Sequence, residues 1–462
     1  MKNIDELQDT KIGRLMFKYF VPAFVGVITN ALYNIVDRIF IGQGVGATAL
    51  AGISIIYPIM LIMMGFSMLI GIGTGVYVSI NMGRKDLDKA EKTLGTGFVL
   101  MLVVSLIIMA FIYFFKEPVL RSFGATEETF QYANDYLNII LGGVVFQVVG
   151  FSLNNVIRSE GNAKIAMLSM IISAGTNIIL DPIFIFWLNM GVKGAAWATV
   201  ISMFVLTIWV VIHFRSKNAV VKLRRKNIRI ENRIMIEITA IGMAPFTMQI
   251  ANSLVSGLLN QRLIEFGGDL AVGAMGIINS VNSLVIMAIV AINMASQPII
   301  GFNYGAKSVP RIKEALSISI IAATLVSVAA FIALESVPGY LVRLFNSDSI
   351  ELYHIAVKGV KLVILAYPIV GFQIVASNFF QAVGKAKVAM FTTLFRQVIG
   401  LIPLLFILPE FLGITGIWLA YPVADAISAV AVVYLLVREW NRLPDLVSKP
   451  AAGSTVMDIF PR

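Results

Sequence analysis

The sequence has no cysteine and only two histidines, His213 and His354. A disulfide framework and a thiolate metal centre are therefore excluded, and a His-ligated metal site has too few ligands. Charge is scarce as well. Asp, Glu, Lys and Arg make up 13% of the 462 residues, against roughly 25% in soluble domains. No GxxxxGK[ST] phosphate loop occurs, so an ATP-driven pump is not supported. GIGTG at 71–75 sits inside an apolar stretch, where glycine serves close helix approach rather than phosphate binding. What fills the chain is apolar: 58% is hydrophobic and the mean hydropathy is +0.86. A soluble fold of this size cannot hide that much apolar surface. Twelve membrane helices of about 20–25 residues would use roughly 240–300 residues.

Apolar stretches separated by charged or Gly/Pro-rich breaks fall at about 17–41, 49–80, 94–115, 131–157, 165–188, 195–214, 235–261, 271–302, 316–337, 352–380, 388–408 and 414–437. The net charge of +10 could suggest nucleic acid, but the basic residues come in short runs between these stretches. That is the pattern of inner loops of a membrane protein. Of the 36 basic residues, 27 fall on the side of the N-terminus and only five on the other. Both termini are therefore expected in the cytoplasm. No cleavable signal peptide is expected, because the first apolar stretch is too long and no small-residue cleavage site follows a short apolar core. The poorly patterned tail after Arg442 reads as a disordered end or a cloning remnant.

The chain also contains itself twice. Pro22 matches Pro245, NMGRK at 81–85 matches NYGAK at 303–307, EGNAKIAM at 160–167 matches VGKAKVAM at 383–390, and GVKGAAWA at 191–198 matches GITGIWLA at 413–420. The offset is 222 or 223 throughout. Six spans per half return the chain to the same side, so the halves share one orientation, related by a pseudo-twofold along the membrane normal. Parallel repeats of this kind are a transporter architecture. The expected layout is an N-terminal six-helix lobe at 1–214, a basic cytoplasmic linker at 215–233, a C-terminal lobe at 234–442 and a tail at 443–462.

These motifs carry a resemblance. Pro22 and Asp37 in the first span, GVGATALAG at 44–52, RSEGNAKIAM at 158–167, NIILDPIFI at 177–185 and GVKGAAWAT at 191–199 resemble, in order, the multidrug and toxic compound extrusion (MATE) transporters. Within that family the chain looks most like the bacterial branches typified by staphylococcal MepA and by DinF. The resemblance implies an all-α integral membrane fold of twelve helices in two six-helix bundles with a V shape. It implies secondary active export of organic, often cationic, compounds against inward protons or sodium.

An ionisable residue inside a span is a functional hypothesis by default. Asp37, Asp181 and Asp425 are the acidic candidates, with Glu335 and Glu410 nearer span ends. Asn30, Asn34 and Asp37 share one helix face by spacing. Asn177 precedes Asp181 by four, and Pro182 frees a backbone carbonyl one turn earlier. A carboxylate, an amide oxygen and a carbonyl are hard oxygen ligands of the kind an alkali cation takes. The resemblance places Asp37, Asn177, Asp181 and Thr199 at a cation- or proton-coupling site, with Asp37, Asn177 and Asp181 the ligands if the ion is sodium. A free Asp ionises near pH 3.9, while burial and a like-charged neighbour favour the protonated form of a carboxyl. A buried pair can thus load and release a proton, or bind sodium without protonation, and the sequence does not choose.

Other polar residues carry weaker readings. Asn30, Tyr33, Asn34, Asn154 and Asn155 are candidates for the substrate path, the last two competing with plain inter-helix hydrogen bonding. The position matching Asp37 in the second half is Asn260, and nothing acidic matches Asp181. Spans seven and ten offer Gln249, Asn252, Ser256, Asn260, Gln373 and Asn378, so coupling is expected in the first half alone. Asp425 is either a further site or the partner of Arg396, and Arg396 either pairs with it or snorkels to the interface. Glu160, between Arg158 and Lys164, reads as structural. The 21 Met and 30 Phe suit an adaptable cavity, although most would face lipid or core.

Three functions compete. A flippase for a lipid-linked saccharide, from the same superfamily, wants several arginines in its cavity, and only Arg38 and Arg396 are available. A membrane enzyme needs a catalytic constellation that the spans do not offer, so no enzymatic activity is expected. A multidrug exporter in the cytoplasmic membrane of a prokaryote fits best. Its partners would be the bilayer and small organic cations or amphiphilic drugs. No nucleic acid, no cofactor beyond the coupling ion and a monomeric state are expected.

Overall fold

The computed structural model describes residues 2–345 and 350–445. Twelve helices long and apolar enough to cross a membrane follow one another: α1 Ile12–Gly44, α2 Ala51–Gly83, α3 Leu87–Ser122, α4 Glu127–Ser159, α5 Ala163–Trp187, α6 Gly191–Arg215, α7 Asn232–Gly268, α8 Leu270–Gly305, α9 Val309–Ser336, α10 Ile350–Ala382, α11 Ala386–Leu412 and α12 Ile414–Arg442. Each apolar stretch of the sequence falls on one of them. A short helix, Lys2–Asp9, precedes α1, and another, Pro338–Phe345, follows α9. There is no strand among the described residues. Of the tail expected at 443–462, residues 446–462 lie outside the described residues.

The duplication has a backbone signature. Eight left-handed residues form matched pairs: Gly46 (φ 112°) with Gly268 (φ 63°), Lys85 (φ 62°) with Lys307 (φ 57°), Gly161 (φ 100°) with Gly384 (φ 75°), and Gly191 (φ 55°) with Gly413 (φ 57°); Gly124 and Asn189 stand outside this pattern. Each pair ends or opens corresponding helices of the two halves, where glycine costs least. The repeated motifs are therefore largely turn motifs. The fifth helix of each half also leaves the regular α path. α5 has a π-helical turn at Ile183–Trp187 directly after Pro182, and α11 has one at Phe395–Leu401. Such turns recur at functional sites.

The chain divides into two compact units that do not coincide with the two repeats. Unit 1 comprises residues 1–10 and 21–249, and unit 2 comprises 11–20 and 250–462. The first turns of α1 thus pack in unit 2, where Met16 Sδ meets Ser319 Oγ at 4.0 Å. The first half of α7 packs in unit 1, where Gly73 lies against the Ile238 carbonyl and Gly242 against that of Leu69. Neither contact leaves room for a Cβ.

Residues 216–231 are a strap fixed to unit 1 rather than a free tether. Ala219, Val221 and Leu223 are buried while Lys222 and Arg224 are exposed, the period-2 alternation of extended chain. Glu160, fully buried, anchors the strap. Its Oε2 accepts from Val220 N–H (3.0 Å) and Val221 N–H (3.1 Å), and its Oε1 lies 2.5 Å from His213 Nε2. Further along, Arg224 pairs with Glu91 at 2.8 Å, and Thr96 donates to the Arg229 carbonyl at 3.0 Å. Glu160 is thus structural, as its place in the sequence suggested, but it acts through the linker and through a histidine that the sequence does not single out.

Candidate coupling site

Unit 1 brings Asp37 of α1 and Asp181 of α5 together, their carboxyl groups within hydrogen-bond reach of each other. Two packing features make this meeting. Asp37, Phe40 and Gly44 recur at helical spacing on one side of α1. Gly44 lies so close to the π-helical turn of α5 that a Cβ there would stand 2.5 Å from Ile185 and 2.8 Å from Phe186. Phe40 meets Phe186 edge to face at 6.1 Å. The glycine and the aromatic pair draw the C-terminal part of α1 onto α5. From the other side Gly194 of α6 leaves room for the backbone of Phe184.

Asp181, Asn177 and Thr199 are buried, with 0%, 0% and 4% exposure, and Asp37 is half-buried. Asn177 Nδ2 faces Asp181 Oδ1 at 3.4 Å and Thr199 Oγ1 at 3.5 Å, both long contacts. Tyr136 of α4, buried, is hydrogen-bonded to Thr199 and lies in the field of both carboxyls, as does Tyr33. No ion pair reaches Asp37 or Asp181 among the described residues. The neighbouring guanidinium of Arg38 stands over the Tyr57 ring, 5.5 Å from its centroid, and acts on Asp37 through its field without forming an ion pair.

Three buried oxygens of the cluster have no hydrogen-bond partner among the described residues: Asp37 Oδ1, Asn177 Oδ1 and Asp181 Oδ2. They are two carboxylate oxygens and one amide oxygen. Orphaned buried acceptors are costly, and these are hard ligands for an alkali ion. A proton shared between the carboxyls serves the same electrostatic end, because a hydrogen bond between two carboxyl groups requires one of them to be protonated. The four residues expected at a coupling site, Asp37, Asn177, Asp181 and Thr199, are thus adjacent. Tyr136 joins them without having been singled out in the sequence. Its only signal there is a phenol on a span whose apolar pattern would accept Phe.

The substrate-path candidates fall into two groups. Asn30 and Asn34 are exposed on α1, joined by Asn34 Nδ2 donating to the Asn30 carbonyl at 2.7 Å, and Tyr33 is hydrogen-bonded to Asn34. Asn154 and Asn155 are buried. Both amide oxygens accept from Arg158, at 2.9 and 3.1 Å, and Asn154 Nδ2 donates to the Ala166 carbonyl and to Ser169. Those two side chains are taken up in holding a buried arginine and the start of α5.

Unit 2 has no such carboxyl pair among its described residues. Its buried acids are each paired with a cation: Glu439 accepts from Lys385 at 2.5 Å, and Asp425 of α12 accepts from Arg396 Nε on the π-helical turn of α11. Nearby, Tyr367 donates to Asn282 at 2.7 Å, Gln373 to Ser428 at 2.8 Å and Gln397 to Asn252 at 2.6 Å. Asn260, which matches Asp37, is exposed.

Two six-span repeats in one orientation are the architecture of a membrane transporter. The MatE family profile matches residues 22–183 and again 245–406, starting at the two repeat-equivalent prolines. The multidrug export protein MepA of Staphylococcus haemolyticus is 27% identical, over 94% of this chain and 96% of its own length. The solved MATE multidrug transporter DinF-BH is 38% identical with a TM-score of 0.87, covering 93% of this chain and 96% of that one. A MOP superfamily transporter from Pyrococcus furiosus shares the fold at 23% identity, with a TM-score of 0.90 over 96% of this chain and 99% of that one. The chain belongs to the MatE family of membrane transporters.

Proposed function

We propose that the protein exports small organic cations and amphiphilic drugs from the cytoplasm in exchange for inward protons or sodium. The observation that carries this reading is the pair of buried Asp181 and half-buried Asp37, neither in an ion pair with a described residue. Beyond the field of Arg38, such a pair is compensated by something that arrives, a proton or an alkali ion. With the ion bound, one of the two negative charges is compensated and orphaned oxygens of the cluster gain a partner. Without it, two like charges face each other in a low-dielectric interior. The two conditions favour different packings of α1 against α5, and an ion that binds one conformation better shifts the population toward it. A proton would sit on one of the two carboxyls. Sodium, carried as a co-substrate, would be held by Asp37, Asn177 and Asp181, with Thr199 and Tyr136 orienting the Asn177 amide and excluding water. The names of the MepA relatives and of DinF-BH, a multidrug transporter, support multidrug substrates. The basic bias of the loops supports a cytoplasmic membrane location with both termini inside.

The decisive experiment is efflux of an organic cation from proteoliposomes under separately imposed proton and sodium gradients. Efflux driven by one of the two gradients, and lost in Asp37→Asn and Asp181→Asn, is the expected result. Gradient-driven efflux at the wild-type rate in both variants would sink the mechanism.

A further inference from the structure

The exposed face of the strap is not part of the Asp37–Asp181 cluster. Lys217, Lys222, Arg225 and Lys226 are exposed and form no ion pair among the described residues. The acids around them are already engaged: Glu91 with Arg224, Asp88 with Lys92, and Glu231 with Arg229. Ile228 and Ile230 are exposed beside them at 37% and 44%. The strap runs from the last residue of α6, Arg215, to the first of α7, Asn232. The strap therefore joins the ends of two helices long and apolar enough to cross a membrane. Because Ala219, Val221 and Leu223 are buried and Glu160 clamps the backbone at Val220 and Val221, the cations are presented outward at fixed positions.

We propose that this strap is a docking surface for anionic phospholipid headgroups, with Lys222, Arg225 and Lys226 contacting phosphate and Ile228 and Ile230 entering the interfacial layer. Charge complementarity selects the occupant. Juxtamembrane lysines and arginines are each worth about 1 kcal/mol toward an anionic leaflet, and side chains on a clamped strap lose less freedom on binding than those of a loose loop. The proposal rests on the chain being embedded in a membrane. It is independent of the coupling ion and of the exported substrate.

The test uses the full-length protein in nanodiscs of phosphatidylcholine doped with photoactivatable phosphatidylglycerol or photoactivatable phosphatidylcholine, with the labelled peptides identified by mass spectrometry. Preferential labelling of 222–230 by phosphatidylglycerol is expected. The variant Lys222→Gln/Arg225→Gln/Lys226→Gln should reduce it about ten-fold or more while remaining monodisperse. Glu160→Ala keeps every cation but unclips the strap, and should also lower the labelling. Added inorganic phosphate should leave it unchanged. Equal labelling by the two lipids, full labelling of the triple variant, or displacement by free phosphate would overturn the proposal.

Discussion

In unit 1, Asp37 and Asp181 face each other and neither makes an ion pair with a described residue, whereas in unit 2 Asp425 is held by Arg396. The two regions come from repeats of one sequence, and each builds its polar centre beside a π-helical turn of its fifth helix. Both bury carboxylate, which is expensive in a low-dielectric interior. Unit 2 covers that cost internally, with a partner that never leaves. On the proposed reading, unit 1 leaves it to a bound ion, so the stability of its centre depends on what is bound. A permanent counter-ion makes structure, and a missing one makes a binding site. The difference argues for coupling confined to unit 1.

Several substitutions would break or sharpen this contrast. The largest effect is expected from Asp181→Asn or Asp37→Asn, which should reduce gradient-driven efflux to the level of empty vesicles with protein yield unchanged. Arg396→Leu comes next. It strands Asp425 without its counter-ion and should destabilise unit 2 by about 3–5 kcal/mol, read as a lower unfolding temperature in detergent. The double variant Arg396→Leu/Asp425→Leu should regain most of that stability and retain transport, whereas loss of coupling in a stable double variant would give unit 2 an ion-handling role. Gly44→Ala places a methyl group where Ile185 and Phe186 already stand. It should cost about 1–3 kcal/mol and weaken ion binding by easing α1 away from α5, measured as a higher ion concentration for half-maximal efflux. The smallest effect belongs to Tyr136→Phe, which removes one hydroxyl contact with Thr199. It should cost about 1 kcal/mol and slow efflux a few-fold without abolishing it.

The fold was legible in the sequence because its determinants are local. Twelve apolar stretches and the recurring turn motifs needed no tertiary information, and the paired left-handed residues show why those motifs recur. Asp37, Asn177 and Asp181 were legible because a charge or an amide in an apolar span has few cheap explanations. Other features depend on distant partners. Tyr136 reads as an ordinary aromatic of α4 until α6 brings Thr199 beside it. Glu160 and His213 lie 53 residues apart, and their pairing follows only from the packing of α4 against α6. The role of Gly44 depends on the π-helical turn of α5, for which the sequence offers only a proline.

Repeat boundaries and unit boundaries differ, and this limits how the protein can be taken apart. A fragment ending at the basic linker carries one full repeat, yet it lacks residues 232–249, which complete unit 1, and retains residues 11–20, which belong to unit 2. Gly73 would then face solvent or lipid where it now meets the carbonyl of Ile238. Neither half should behave as an autonomous membrane domain when produced alone. Production of both halves together should restore them, each supplying the other's missing helix end. The sequence repeats and the compact units of the fold therefore have different boundaries.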